Sequence, residues 1–333
     1  MKFLITGAAG FIGFHLVKRL LKDGFDVVGI DNMNDYYCQK LKNHRLKILK
    51  ELPTQNKTKF TFFTGNIEED KTIEWLKSFD DIDCIIHLAA QAGVRESIKN
   101  PHIYMDSNLI GFYSILNYTK EKNIKHFIFA SSSSVYGNSS KKTFSETDET
   151  SQPISFYAAT KKANEILAHA YSHLYGINCT GLRFFTVYGP HGRPDMAYYH
   201  FVNNIKESKV IDVFNEGKLE RDFTYIDDCI EGIKGVIDLH GINTTNRPKE
   251  IKSLFQIYNI GNGKTVKLLD FIKLLEDKIG MKAKINLLPM QEGDVLRTQA
   301  DITKSKKMLN YMPKINIDEG LERFIEWHDI YHK

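Results

Sequence analysis

Cysteine is scarce in this sequence of 333 residues. Only Cys38, Cys84, Cys179 and Cys229 are present, and no two of them stand in the Cys-x-x-Cys spacing. Disulfide scaffolds and zinc sites depend on closely spaced cysteines, so neither is indicated. We expect these thiols to serve as small apolar side chains.

Long hydrophobic runs are lacking as well. The apolar run at the N-terminus is far too short for the core of a signal peptide, and no later run approaches the length of a transmembrane helix. The net charge is only +4, and the lysines are scattered instead of forming a basic stripe. We therefore expect a cytoplasmic globular protein with no nucleic-acid or membrane partner, and a small anion would suit it as a ligand.

Short β-rich runs alternate along the chain with amphipathic helical stretches. This alternation favours an α/β fold, a Rossmann-type doubly wound parallel sheet with helices on both faces. Strands are predicted at residues 2–6, 26–31, 60–64, 83–88, 126–131 and 179–184, and helices at residues 11–22, 101–121 and 156–175.

The regular alternation ends after the last of these strands, where Gly189-Pro190 and Arg193-Pro194 interrupt it. We place a domain boundary near residue 187, with residues 1–187 as the first domain and residues 188–333 as a smaller C-terminal α/β domain. Part of 222–240 is expected to rejoin the first domain. Residues 240–253 contain Gly, Asn and Pro and are predicted to form a surface loop.

The first chemical motif is Gly7-Ala8-Ala9-Gly10-Phe11-Ile12-Gly13, between the first predicted strand and helix. A glycine-rich turn there lets the backbone approach a pyrophosphate, and the helix N-terminus offers unpaired N–H groups. Glycines alone also make ordinary turns, but Asp31 follows Gly13 by 18 residues, close to the spacing of a ribose-binding acid. Its carboxylate would repel a 2′-phosphate and no basic residue follows immediately, so NAD is predicted rather than NADP.

The second constellation pairs Tyr157 with Lys161. Residues four apart share one face of a helix, so an ammonium group can lie beside the phenol. A nearby cation favours the phenolate, and Tyr157 could then take a proton from a substrate hydroxyl. The serine run at 131–134 ends a predicted strand, where open α/β sheets bind ligands. An exposed Tyr/Lys pair and a solvated serine turn are the structural alternatives.

Together, the glycine turn, the serine run and the Tyr-x-x-x-Lys pair resemble the extended short-chain dehydrogenase/reductase family. The resemblance covers almost the whole chain and is most specific for the UDP-glucuronate 4-epimerases. It implies an NAD-binding first domain and a UDP-sugar-binding second domain. The stretches that carry it are residues 31–37 (DNMNDYY), 87–95 (HLAAQAGVR), 181–190 (GLRFFTVYGP), 192–196 (GRPDM) and 221–228 (RDFTYIDD).

The resemblance also implies which residues bind NAD. The glycine turn and Asp31 would bind the diphosphate and the adenosine ribose, and Lys161 would touch the nicotinamide ribose. Asn66 stands where relatives carry an aspartate near the adenine, so a charge is lost there. The implied cofactor-binding residues are Gly7, Gly10, Phe11, Ile12, Gly13, Asp31, Asn32, Asn66, Ile67, Ala89, Ala90, Gln91, Asn108, Ser131, Tyr157, Lys161 and Phe184.

For the substrate, the resemblance implies that Phe214 holds the uracil, Arg221 the diphosphate and Asp294 the uridine end. Gln291 replaces an arginine that galactose epimerases tend to carry, and Arg297 is the candidate substitute. The implied catalytic residues are Tyr157, Lys161 and Ser132, and the implied substrate-binding residues are Ser132, Ser133, Ser134, Tyr157, Thr186, Arg193, Phe214, Arg221 and Asp294.

The implied reaction is inversion at C4 of the sugar. Tyr157 would remove the O4 proton while hydride leaves C4 to NAD, and Ser132 would hydrogen-bond O4. The 4-keto sugar would then turn and take the hydride back on its other face, so NAD would stay bound. Relatives that eliminate water or carbon dioxide carry acidic residues beside this serine, whereas Ser133 and Ser134 follow it here. UDP-pentose is therefore expected only in traces.

Several alternatives stay open at this point. UDP-N-acetylglucosamine or UDP-glucose would be inverted by the same chemistry. A non-enzymatic NAD-binding regulator could share the fold, although it would need none of the catalytic set. Arg193 matches a carboxylate with its planar guanidinium, but it could instead pair with Asp195 and only shape its loop. The family also suggests a homodimer formed through the helices at residues 101–121 and 156–175.

Structural roles are the simpler explanation for other residues near these motifs. Side chains alternate along a strand, so only one of Phe184 and Phe185 is expected to point toward the site. His87 at a strand end is expected to be a satisfied structural histidine. Arg221 and Asp222 could form a local ion pair, which contributes little when it is exposed.

Overall fold

The computed structural model describes residues 1–240 and 253–333. In the first half of the chain, strands alternate with helices as predicted. The six strands predicted from the sequence are confirmed, with ends that agree within one residue: β1 (Lys2–Thr6), β2 (Asp26–Asp31), β3 (Phe60–Thr64), β4 (Cys84–His87), β5 (His126–Ser132) and β6 (Asn178–Phe184).

A seven-stranded parallel sheet forms the centre of the molecule. A further strand, β10 (Phe255–Ile260), pairs with β6 at one edge, and the order across the sheet is β10-β6-β5-β4-β1-β2-β3. The order reverses between β1 and β4, and such a switch point opens a crevice at the carboxyl ends of the strands. This arrangement confirms the Rossmann-type α/β fold class.

Helices cover both faces of the sheet because both faces are apolar. In β1, Phe3 and Ile5 point into one hydrophobic cluster and Leu4 into the other, as expected for a strand buried on both sides. The helices of this half are α1 (Phe11–Lys22), α2 (Gln39–Asn56), α3 (Asp70–Lys77), α4 (Val94–Lys99), α5 (Pro101–Tyr104), α6 (Gly111–Glu121) and α7 (Phe156–Tyr175).

The prediction of a single continuous helix at residues 101–121 is wrong in one respect. The structure divides it into α5, a π-helical turn at Met105–Ile110, and α6. A π turn inserts an extra residue into the helical repeat. Asn108 lies in this turn and is buried, with an exposure of 1%.

The second half of the chain adds two small sheets, of strand order β11-β9-β7 and β12-β8, beside the carboxyl edge of the central sheet. Its strands are β7 (Thr186–Tyr188), β8 (Val210–Phe214), β9 (Glu220–Tyr225), β11 (Thr265–Lys267) and β12 (Lys284–Leu288), and its helices are α8 (Ala197–Lys206), α9 (Ile226–His240), α10 (Leu268–Ile279), α11 (Thr303–Leu309) and α12 (Ile317–Tyr331).

The two halves are interleaved along the sequence. Helix α9 packs against α1 of the first half, and β10 completes the central sheet, although the sequence analysis left residues 255–260 in the second domain. The division at residue 187 stays a prediction.

A surface loop was predicted at residues 240–253. Residues 241–252 of this stretch lie outside the described part of the chain. No helix within residues 1–240 and 253–333 has the length and apolar character needed to cross a membrane.

Candidate active site

A cleft of about 900 Å³ opens at the carboxyl ends of the parallel strands. It runs from the glycine-rich turn to the segment around residue 294, and nearly all the residues predicted from the sequence lie in its wall. Those that do are Gly7, Gly10, Phe11, Ile12, Gly13, Asp31, Asn32, Asn66, Ile67, Ala89, Ala90, Gln91, Ser131, Ser132, Ser133, Ser134, Tyr157, Lys161, Phe184, Thr186, Arg193, Arg221 and Asp294.

The glycine-rich turn is folded too tightly for larger residues. A Cβ atom on Gly13 would lie 2.0 Å from the carbonyl oxygen of Gly7, and one on Gly7 would lie 2.8 Å from the backbone nitrogen of Ala89. Helix α1 begins directly after Gly10, which offers no side-chain cap. The first N–H groups of the helix therefore face the cleft, as a dinucleotide diphosphate requires.

Asp31 ends β2 at the edge of the cleft. Its carboxylate oxygens accept hydrogen bonds from the backbone N–H groups of Ala9, at 3.1 Å, and Met33, at 2.9 Å. The Lys42 ammonium lies 3.6 Å from the same carboxylate and donates to the Asn34 side chain at 2.6 Å. The sequence analysis missed this lysine because it comes from α2, eleven residues downstream of Asp31.

Two amide side chains, Asn32 and Asn66, line the part of the cleft where the sequence analysis expected the adenine. The Asn66 amide oxygen accepts a hydrogen bond from Asn32 at 3.0 Å, and its nitrogen donates to Glu69 at 2.8 Å. Both donor and acceptor groups of Asn66 are thus engaged within the protein.

Asn108 requires a correction, because it lies behind the wall of the cleft. Its side-chain oxygen accepts the Gln91 N–H at 2.8 Å, and its nitrogen donates to the Gln91 carbonyl at 3.1 Å and to Thr160 at 3.1 Å. The π turn brings Asn108 to this position. It fixes the backbone of Gln91, which does line the cleft.

Tyr157, Lys161 and Ser132 come together at the centre of the cleft. Ser155 caps α7 by accepting the N–H of Ala158 at 3.1 Å, so Tyr157 lies in the first turn and Lys161 one turn later. The Lys161 ammonium is 6.0 Å from the centre of the Tyr157 ring and donates to the Ala130 carbonyl at 3.0 Å. The Ser132 hydroxyl is near enough to the Tyr157 phenol to lower its pKa.

The neighbouring serine extends this arrangement. The Ser134 hydroxyl donates to the Ser132 oxygen at 2.9 Å, and the Ser134 N–H does so at 3.2 Å. Because the Ser132 oxygen accepts both bonds, its own proton remains available to a group in the cleft.

Burial dominates the electrostatics of the catalytic set. It raises the pKa of Tyr157, although the hydrogen bond from Ser132 and the charge of Arg193 oppose this. Burial also lowers the pKa of Lys161 to about 8, so the ammonium is charged at neutral pH. Lys161 is not among the groups that lower the pKa of the phenol, so the expectation that it does so is not met in this structure.

Arg193 follows the end of β7 and pairs with Asp195. Its Nε lies 3.0 Å from Oδ1 of Asp195 and its Nη2 lies 2.5 Å from Oδ2, a bidentate contact. This is the alternative that the sequence analysis left open. Both side chains still line the cleft, and the guanidinium carbon stands 5.8 Å from the Tyr36 ring centre.

At the far end of the cleft, Asp294 lies between two arginines. Nη2 of Arg95 is 3.1 Å from one carboxylate oxygen of Asp294, and Nη2 of Arg221 is 3.7 Å from the other. Arg95 ends the stretch HLAAQAGVR that carried the resemblance, but the sequence analysis gave it no role. The Arg297 guanidinium contacts Glu220 at 3.3 Å and Gln299 at 2.7 Å, and its role as a substitute for the missing arginine stays a prediction.

The Phe214 side chain is not part of the cleft wall in the described structure, and its contact with the uracil stays a prediction. The Arg95 guanidinium covers the Phe214 ring, with 5.0 Å between the guanidinium carbon and the ring centre.

The suggestion that Arg221 and Asp222 form a local ion pair is wrong. Asp222 is fully buried and accepts the backbone N–H groups of Asn262, Gly263 and Ala300.

His87 is a satisfied structural histidine, as expected: its Nδ1 lies 2.9 Å from the Thr6 hydroxyl, and burial lowers its pKa to about 3. Phe184 and Phe185 both contribute to the cleft wall and to the core, so alternation along the strand did not separate them. Phe185 follows the last residue of β6, where the strand period no longer applies.

These features define a class of protein. A parallel sheet whose glycine-rich turn meets a helix N-terminus, with a Ser, Tyr and Lys set beyond the strand ends, is the site of a dinucleotide-dependent short-chain dehydrogenase or reductase. The second half of the chain extends the cleft, which is the property of the extended members of that class.

Comparisons with known proteins identify the family. Residues 4–324 match the family described as GDP-mannose 4,6 dehydratase. An uncharacterised protein of Methanocaldococcus jannaschii is 50% identical, over 97% of this chain and 95% of that protein. A probable UDP-glucuronate 4-epimerase of Rhizobium meliloti is 43% identical, over 99% of this chain and 97% of the relative.

A solved structure agrees with these relatives. The crystal structure of UDP-glucuronic acid 4-epimerase from Bacillus cereus, in complex with UDP-glucuronic acid and NAD, superposes with a TM-score of 0.87 at 36% identity, covering 99% of this chain and 100% of that one. This chain belongs to the extended short-chain dehydrogenase/reductase family, together with the UDP-glucuronate 4-epimerases, which confirms the family predicted from the sequence.

Proposed function

We propose that this protein inverts C4 of UDP-glucuronate, giving UDP-galacturonate, with NAD held throughout the reaction. The observation that carries the proposal is that Ser132, Tyr157 and Lys161 line one cleft together with Arg193. The relatives at 36% and 43% identity are described as UDP-glucuronate 4-epimerases.

The residues at the closed end of the cleft fit NAD. The tight turn at Gly7 and Gly13 leaves backbone N–H groups of α1 for the diphosphate, and Asp31 would accept hydrogen bonds from the adenosine ribose. A carboxylate at this position disfavours a 2′-phosphate, although Lys42 lies beside it. Bound NAD supplies the acceptor and then the donor of the C4 hydride.

The catalytic roles follow from the hydrogen bonds of the set. Tyr157 takes the O4 proton during oxidation and returns a proton during reduction. Ser132 hydrogen-bonds the same oxygen, and the bonds from Ser134 hold the Ser132 hydroxyl in place. Lys161 is anchored to the Ala130 carbonyl, 6.0 Å from the centre of the Tyr157 ring, and we propose that it contacts the nicotinamide ribose.

The neighbours of Ser132 favour epimerisation over loss of carbon dioxide. A 4-keto uronate is a β-keto acid. It loses carbon dioxide readily when the bond from C5 to the carboxylate stands perpendicular to the plane of the C4 carbonyl. Hydroxyls at Ser133 and Ser134 can hold the carboxylate away from that alignment by hydrogen bonds. No acidic residue stands beside Ser132 in the stretch from 131 to 137.

The far end of the cleft suits the charged nucleotide. Arg95 and Arg221 flank Asp294, and we propose that both arginines turn toward the UDP diphosphate while Asp294 contacts the uridine end. Phe214 would become available to the uracil only when Arg95 leaves its ring.

A neutral UDP-sugar is the second candidate substrate, because Arg193 is already paired with Asp195. If that pair persists during catalysis, Arg193 is not free to bind the carboxylate of a uronate.

The purified protein should be incubated separately with UDP-glucuronate, UDP-glucose and UDP-N-acetylglucosamine, and the C4 epimers separated by chromatography. We expect turnover to be highest with UDP-glucuronate and UDP-pentose to be a trace product. Faster turnover of a neutral sugar would reverse the substrate assignment.

We also propose that the protein is a homodimer. The outer surfaces of α5, the π turn, α6 and α7 expose a group of large apolar side chains, which a second copy would cover. They are Ile103, Ile110, Tyr113, Ile166, Leu174 and Tyr175. A cytoplasmic location stays a prediction from the sequence.

A further inference from the structure

Arg45 lies in the middle of α2 and is completely buried, with an exposure of 0%. A buried guanidinium usually faces a carboxylate, because an uncompensated charge is costly to bury. Within the described part of the chain, the hydrogen bonds of Arg45 all go to neutral oxygens instead. Such a side chain is expected to have a specific positioning role.

The acceptors of Arg45 belong to separate parts of the cleft. Its Nη1 donates to the Ala9 carbonyl at 2.9 Å, inside the glycine-rich turn, and to the Tyr37 hydroxyl at 2.7 Å. Its Nη2 donates to the carbonyls of His191 at 2.6 Å and Gly192 at 3.2 Å. One side chain therefore joins the turn that faces NAD to the residues directly before Arg193.

Both joined segments are held tightly on their other sides. The Ala9 N–H is bound by Asp31, so both backbone polar groups of Ala9 are fixed. His15 of α1 contacts the Pro190 carbonyl through Nε2 at 2.9 Å, and burial lowers its pKa to about 3, so the neutral ring donates this bond. A Cβ atom on Gly192 would lie 1.8 Å from the Tyr198 hydroxyl. Arg45 therefore joins two segments that are each fixed by separate contacts.

We propose that Arg45 is a positioning residue that couples NAD binding at the glycine-rich turn to the placement of the loop that carries Arg193. Its charge, which has no carboxylate among its hydrogen-bond partners, also favours an anionic diphosphate at the turn. The role of the loop toward a uronate rests on the proposed function, but the coupling itself involves only NAD and this chain.

The test compares variants on one helix. Arg45→Met removes the charge and all donors at similar length, and Arg45→Lys keeps the charge but cannot bridge all the acceptors. Lys47→Met is the matched control, because Lys47 is an exposed cation on the same helix. For each protein, the dissociation constant of NAD is measured, and then hydrogen–deuterium exchange is followed in protein saturated with NAD.

We expect Arg45→Met to weaken NAD binding by about ten- to a hundred-fold, since charge-assisted hydrogen bonds are lost. In the NAD-saturated variant, exchange should accelerate in peptides covering residues 190–199 and stay unchanged in α7. Arg45→Lys should lie between Arg45→Met and the unmodified protein, and Lys47→Met should match the unmodified protein.

The coupling is overturned if NAD affinity and loop exchange do not change together, or if neither changes. Accelerated exchange throughout the protein, including α7, would also overturn it, because that result indicates general destabilisation. If Arg45→Met fails to fold, Arg45→Lys is judged by the same criteria. Since neither measurement uses a sugar nucleotide, the result is independent of which substrate the protein epimerises.

Discussion

Tyr157 is the residue whose chemistry the structure constrains most. Burial raises its pKa, and only the Ser132 hydrogen bond and the Arg193 charge oppose that effect. The phenol therefore stays protonated at neutral pH until further positive charge enters the cleft. A bound nicotinamide ring that is oxidised carries such a charge, so proton transfer by Tyr157 and oxidation of the sugar are expected to depend on each other.

Replacing Tyr157 by phenylalanine removes only the hydroxyl that transfers the proton. General acid–base catalysis contributes about 10²–10⁴-fold, and we expect kcat to fall by that factor while NAD stays bound. Steady-state kinetics and the NAD content of the purified variant are the measurements. Tyr171→Phe on the same helix is the control and should keep full activity. Substantial turnover by Tyr157→Phe would show that another group is the base.

Replacing Arg193 tests how the protein recognises the carboxylate of the uronate. Hydrogen bonds to charged groups contribute about 1.5–3 kcal/mol, so Arg193→Ala should lower kcat/KM for UDP-glucuronate by roughly ten- to a hundred-fold. The loss with UDP-glucose should be much smaller. Asp195→Ala, which breaks the observed pair but keeps the guanidinium, should lose less activity on the uronate. Equal losses with both sugars, and equal effects of the two variants, would mean that the pair only shapes its loop.

At the scale of elements, the sequence predicted the parts with strong apolar patterns. β1, β2, β4, β5, β6 and α1 were predicted because each buries an apolar run or face, whereas β3 is only half-buried. Helix α2 was missed because its lysine-rich sequence has few apolar positions and contains Pro53, a residue type that predicts the end of a helix. The π turn has no periodic signature, so the inward position of Asn108 could not be foreseen.

The same limits explain which parts of the site were missed. The glycine turn, the serine run and the Tyr/Lys pair are local motifs, and the structure places all of them in the cleft. Lys42, Arg45 and Arg95 instead act through partners that are distant in the sequence. Such contacts depend on tertiary packing, which a single sequence does not reveal.

The glycine-rich turn gives a prediction at this scale. A methyl group on Gly13 would meet the Gly7 carbonyl oxygen at 2.0 Å, so Gly13→Ala must open the turn and displace the start of α1. We expect NAD affinity to fall by about tenfold or more, the effect of roughly 1.4 kcal/mol, when measured by calorimetry. Gly24→Asn at the end of α1, where a Cβ meets no atom within 4 Å, is the control. Unchanged NAD affinity in Gly13→Ala would contradict the assignment of the turn.

At the scale of the whole molecule, the exposed apolar face of α6 and α7 predicts self-association. Ile166 is 59% exposed and Tyr113 is 49% exposed, and a charge on each should prevent a second copy from packing there. We expect light scattering to give a dimer mass for the unmodified protein and a monomer mass for Ile166→Glu/Tyr113→Glu. Val210→Glu, a similarly exposed position on β8, should remain dimeric. A monomeric unmodified protein would remove the proposed interface.

The central claim is that hydride leaves C4 of UDP-glucuronate and returns to the same carbon. The most direct test uses UDP-glucuronate carrying deuterium at C4, incubated with the purified protein in ordinary water and without added reductant. The account predicts UDP-galacturonate that retains the deuterium at C4, with no stoichiometric release of NADH. Loss of the deuterium to water, or UDP-pentose as the main product, would contradict it.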